Sequence, residues 1–208
     1  MKKVMSFVLA MILMAAVCAG LAESAPSKST GDLTDIQAVA ENAPEDSDFF
    51  VLPVNEENSQ DYQELLDVCQ AEIEKLIASE TVEDYFGETL DSEGTPIDLK
   101  EALGLETLNV TEFFPLVAGN YLEEYGKVTL NLLVATPYEV DEQVMVLIGI
   151  VTTSEEGENT TQWTAFYGNG VESASDSVEL AGCVQVELTP EIMLQIHENA
   201  ALLAIVSK

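Results

Sequence analysis

Arginine is absent from this chain, and histidine occurs once, at His197. Seven lysines face 38 acidic side chains over 208 residues, a formal net charge of −31. A nucleic-acid backbone is neutralised by Lys and Arg, so this polyanion would be repelled by one. Fork-shaped recognition of phosphate or carboxylate needs a guanidinium and is excluded in the same way. Cysteine is scarce, with three residues and no CxxC pair, which excludes a thioredoxin-like or zinc-ribbon site. No apolar run reaches the roughly 18–20 residues of a membrane-spanning helix.

What is present is an organised apolar pattern. Hydrophobic residues make up 47% of the chain and lie in runs, which is not the composition of a disordered acidic tail. Lys2 and Lys3, an apolar stretch over 4–17, and the small residues Ala19, Gly20 and Ala22 describe a secretory signal peptide over 1–22. A lipid-modified Cys18 is the alternative, although Val17 stands where a lipoprotein signal has a small residue. The expected destination is extracellular, with no membrane span once the signal is removed. Residues 23–48, rich in Ser, Pro, Ala, Asp and Glu, read as a flexible acidic leader.

Residues 49–96 read as a helical N-terminal element. Phe49 to Val54 suggests a short strand that Pro53 keeps at a sheet edge. Tyr62, Leu65, Leu66, Cys69, Ile73, Leu76 and Ile77 recur at helical spacing, with Glu64, Asp67, Glu72, Glu74 and Lys75 on the other face. Thr81 caps a second short helix and Gly87 stops it.

Residues 97–208 change to strand periodicity. Val128, Leu130, Leu132 and Val134 alternate with their neighbours, 144–151 is apolar on both faces as in a central strand, and 161–167, 184–188 and 201–206 follow. Turns are expected at Thr136-Pro137-Tyr138, over 155–159 and at Gly168-Asn169-Gly170. Thr189-Pro190-Glu191 starts a helix running to about Asn199. The pattern predicts a mainly β chain, α+β overall: an antiparallel immunoglobulin-like β-sandwich packed with one amphipathic helix.

The segments Val82-Glu83-Asp84-Tyr85-Phe86-Gly87, 109–115, Ala135-Thr136-Pro137-Tyr138 and Thr189-Pro190-Glu191 together resemble those of uncharacterised secreted proteins of anaerobic Gram-positive gut bacteria. The resemblance implies bacterial export and no particular activity.

Chemistry-bearing residues are few. His197 lacks a nucleophile motif around it and reads as a helix-end histidine. The carboxylates of Glu139, Asp141 and Glu142, and of Glu155, Glu156 and Glu158, read as solvated loop charge. Placing Gly94 at the invariant glycine of a calcium loop puts Thr89 first and Lys100 twelfth, where carboxylates are required, so that motif fails. No metal and no cofactor are expected. Cys69 and Cys183 either form one disulfide or stand as two buried thiols. Trp163 reads as core, whereas Tyr121, Tyr125 and Tyr138 are the candidate ligand contacts. The expected function is therefore an extracellular, non-catalytic binding module for a protein or glycan. The alternatives are a secreted hydrolase using a carboxylate pair and a self-assembling envelope component.

Overall fold

The computed structural model describes residues 35–44, 46–55, 58–154, 158–172 and 182–207. The signal segment 1–22, with Cys18, lies outside the described residues. The chain runs β1 (Asp35–Ala40), β2 (Phe50–Pro53), α1 (Gln63–Ala78), α2 (Val82–Phe86), β3 (Thr89–Asp91), β4 (Pro96–Ile97), α3 (Leu99–Leu103), β5 (Asn109–Gly119), a 3₁₀ turn (Glu123–Tyr125), β6 (Val128–Val134), β7 (Gln143–Thr153), β8 (Asn159–Gly170), β9 (Gly182–Leu188), α4 (Pro190–Glu198) and β10 (Ala200–Ser207).

Strand pairing makes the protein mainly β, with one nearly closed, predominantly antiparallel sheet. The order is β1-β6-β9-β8-β7-β10-β5-β2, and the β3–β4 hairpin joins from the side through a parallel pairing of β3 with β8. The two end strands, β1 and β2, lie beside each other without a hydrogen-bonded ladder. This corrects the expected two-sheet immunoglobulin-like sandwich: the strands form one sheet that curls, so its inner face packs on itself. Across residue 97, the expected boundary between the helical element and the β region, β1, β2 and the β3–β4 hairpin pair with strands from beyond it. Residues 35–40 of the expected flexible leader are β1, whose Ile36 is buried against the inner core.

Two cores result, one on each face. Inside the curl lie Leu130 and Leu132 of β6, Val146 and Ile148 of β7, Leu203 and Ile205 of β10, and Ile192, Met193 and Ile196 of α4. On the outer face, Leu147, Leu202 and Ala204 meet Leu65, Cys69, Ile73 and Leu76 of α1. The apolar stripe of α1 therefore buries against β5, β7 and β10, and each large side chain gains roughly 1.5–3 kcal/mol relative to exposure. Strands β7 and β10 are buried on both faces, which is why their sequences are apolar at nearly every position.

Local chemistry sets the helix ends. Thr81 accepts a hydrogen bond from Asp84 N, Asp98 from Glu101 N, and Thr189 from Ile192 N with Pro190 in the first turn. The segment Gly168-Asn169-Gly170, expected to turn, instead extends β8, because β7 pairs with β8 through Gly168 and Asn169 and Gly170 N donates to Glu142 O at 2.8 Å.

One end of the curl is crossed by a strap, residues 135–142. Tyr138 Oη and Thr111 Oγ1 lie 2.6 Å apart, and Asp141 N donates to Gly170 O at 2.9 Å. The strap passes so close to the start of β9 that a Cβ on Gly182 would overlap the Thr136 carbonyl oxygen. Gly182→Ala is therefore expected to cost about 1–3 kcal/mol by overpacking, read as a lowered urea midpoint. An unchanged midpoint would mean that the strap does not rest on β9.

Candidate functional site

The residues singled out in the sequence are dispersed, and most are committed to structure. Tyr121 and Tyr125, expected at the surface, are buried in the inner core. Phe49 meets both rings edge-on, at centroid distances of 5.7 and 6.2 Å, and Tyr121 Oη donates to Gly126 O. Glu123 and Glu124 between them open a short 3₁₀ turn that ends at Tyr125, and both tyrosines are buried, which sequence polarity alone hid. Tyr138 is half-buried, its hydroxyl held by Thr111. Tyr121 and Tyr125 therefore offer no free ring face.

Cys69 and Cys183 are free thiols, so the disulfide is not formed. Cys69 is on the buried side of α1, in the outer core with residues of β7 and β10, whereas Cys183 is on β9, with β8 between β9 and β7. Burial, then the charge of Glu72, pushes the Cys69 thiol up to about 12, so it is no nucleophile at neutral pH. His197 Nδ1 is 3.0 Å from the Ala118 carbonyl oxygen, tying the end of α4 to β5. Asp91 Oδ1 accepts from Glu93 N at 2.8 Å and Thr95 N at 2.9 Å, closing the β3–β4 hairpin. Among the described residues no group of three or more His, Cys, Asp or Glu side chains is placed to hold a metal ion.

The buried carboxyls among the described residues are Glu72 and Glu112. Glu72, on α1, is held by Lys75 Nζ at 2.6 Å and by the Tyr85 hydroxyl at 3.0 Å. Burial first, then the charge of Glu72 and the hydrogen bond to it, raise the Tyr85 pKa, so the phenol stays protonated. Glu112 lies on the opposite face of the sheet. A β-bulge in the β10–β5 pairing leaves Thr111 as the extra residue, so Val110 faces the helices while Glu112, opposite Ile205, faces the interior. Thr136 Oγ1 donates to Glu112 Oε1 at 2.8 Å. Burial raises the Glu112 pKa to about 7 against the opposing pull of the Thr136 hydrogen bonds. The two acids thus belong to separate cores and do not converge.

One half of the outer face is different in kind. The helices and the β3–β4 hairpin cover β5, β10, β7 and the middle of β8, and leave β1, β6, β9 and the adjoining ends of β7 and β8 bare of described helices, although Leu133 of β6 and Cys183 of β9 on that face are buried. On that bare half, Gln37 of β1 pairs in register with Asn131 of β6, Asn131 with Gln185 of β9, Gln185 with Asn169 of β8, and Asn169 with Gln143 of β7. Partners directly opposite in an antiparallel ladder share a face, so five carboxamides form one row across five strands. Gln185 Nε2 donates to Asn131 Oδ1 at 2.9 Å, while Gln37, Asn169 and Gln143 are exposed to solvent. Tyr167, two residues before Asn169 on the same strand, is 54% exposed. The five amides are scattered from position 37 to 185, so only strand order and register assemble them. The outward position of Gln185, beside inward Val184 and Val186, was the one local signal.

No protein-family model, curated protein or solved structure matches this chain. Among the described residues no helix is long and apolar enough to cross a membrane. Fold and site thus define a mainly β chain with a curled sheet, helices over part of its outer face and a neutral polar row on the remainder.

Proposed function

We propose that this protein is an exported, acidic, non-catalytic module that acts by surface recognition outside the cell, with the bare outer face of β1, β6 and β9 as its contact surface. The observation that carries this reading is the asymmetry of the sheet's outer face, half sealed by helices over an apolar core and half left as an in-register polar row. The net charge supports it: a chain at −31 stays soluble and avoids anionic surfaces. Each described lysine is already paired, Lys75 with Glu72, Lys100 with Glu83 and Lys127 with Glu187, so none is spare to draw in an anion.

Retention on bacterial-wall, mucin and animal cell-surface fractions tests the reading. The intact protein should be retained on at least one of them. The double change Gln37→Ala with Gln185→Ala should weaken retention about tenfold or more, and Glu74→Ala on the helix side should leave it unchanged. Blank results on every fraction, or equal losses for both variants, would remove the proposal.

A further inference from the structure

We propose that the carboxamide row Gln37, Asn131, Gln185, Asn169 and Gln143 binds a neutral glycan chain laid across the strands, with the exposed Tyr167 ring stacked on a sugar face. This deepens the reading of the bare face as a contact surface and rests on it.

Three observations select the occupant. The first is hydrogen-bond chemistry. Each amide offers two N–H donors and a carbonyl acceptor, and a sugar hydroxyl both donates and accepts, so the two can pair without any charge. Strands about 4.8 Å apart spread the five amides over about 19 Å, the reach of a chain ligand rather than of a single small molecule. The second is Tyr167. Its ring stands on the same face as Asn169, roughly 7 Å along the strand, at the edge of the outer core beside its register partner Met145, and more than half of it is open to solvent. An aromatic face beside a polar row suits a ligand with apolar C–H faces and polar edges. The third is electrostatic. Nucleic acids and acidic polysaccharides are repelled by a chain at −31, and a second copy carries the same charge, whereas a neutral chain meets no such barrier.

Native affinity electrophoresis tests the inference directly. The gels contain dextran, pullulan, hydroxyethyl cellulose, galactomannan or arabinoxylan as neutral probes, with polygalacturonate and chitosan as anionic and cationic ones. At least one neutral polysaccharide should retard the intact chain, equally well at about 0.5 M salt, since no counterions are released. Tyr167→Ala, and separately Asn131→Ala with Gln185→Ala, should weaken that retardation about tenfold or more while leaving the near-ultraviolet circular dichroism unchanged. Retardation by none of the neutral probes overturns the inference, as does retardation that survives both variants. Retardation by chitosan alone, abolished by salt, would make the ligand a cation. Concentration-dependent self-association lost in the same variants would make the occupant a second copy. If the gels are blank but the fractions above still lose the Gln37→Ala/Gln185→Ala variant, only the glycan assignment falls. If the fractions are blank too, the contact-surface reading falls with it.

Discussion

Trp163→Ala should lower the unfolding free energy by about 3–5 kcal/mol, enough to bring a domain of ordinary stability close to unfolding. The indole stands at the junction between the sheet and the short helices. Its centroid lies 4.9 Å from Phe86 in edge-to-face contact, and 5.9 and 6.0 Å from Tyr85 and Phe113. It also packs against Gly149, its register partner on β7, where a Cβ would come within 2.6 Å of the ring. Truncation removes the anchor of α2, empties a site that three other rings cannot refill, and strips the cover from the Gly149 backbone. This is the chain's one tryptophan, so urea unfolding must be followed by far-ultraviolet circular dichroism rather than fluorescence. A loss below about 1 kcal/mol would mean that α2 is not held through this ring.

Glu112 should make the protein more stable in mild acid than at neutral pH. Its carboxyl has a raised pKa of about 7 in the folded chain against an ordinary value of 4.5, because burial opposes the charged form. Below about 4.5 both folded and unfolded chains hold the proton and nothing is lost. As pH rises from there to about 7, the unfolded chain releases it first, and stability falls by roughly 3 kcal/mol before levelling off. The general repulsion among the acidic side chains adds a slope of the same sign, so the informative quantity is the difference between the wild type and Glu112→Gln. The neutral amide keeps an acceptor for Thr136 and cannot ionise. Urea midpoints measured between about pH 5 and about pH 8 should decline less for the variant, which should be the more stable of the two at the upper end. Parallel profiles would show that Glu112 is solvated rather than sealed beneath the strap.

Both predictions fall on residues whose roles were unequally visible beforehand. Trp163 is recognisable as core from its apolar, β-branched surroundings. Glu112 is one acid among 38 in sequence, and nothing near it marks it. It is buried because the bulge at Thr111 turns β5 over between Val110 and Glu112, and a bulge depends on the partner strand, here β10, some ninety residues on in the chain. Tyr121 and Tyr125 failed as surface candidates for a related reason. Phe49, the residue that covers them, lies some seventy positions earlier, and the loop holding them is acidic enough to look solvated.

The amino-acid sequence by itself determined the helices of 63–78, 82–86 and 190–198, the caps at Thr81 and Thr189, and the doubly apolar strands β7 and β10. These rest on periodicity and on hydrogen bonds reaching three or four residues, so the information lies within each segment. Only the tertiary structure decided that β10 inserts between β7 and β5, that the sheet curls as one body, and that five amides from five strands line up on its bare side. Strand neighbours and register follow from inter-strand pairing and from which faces find cover, and in this chain those partners come from opposite ends of the molecule.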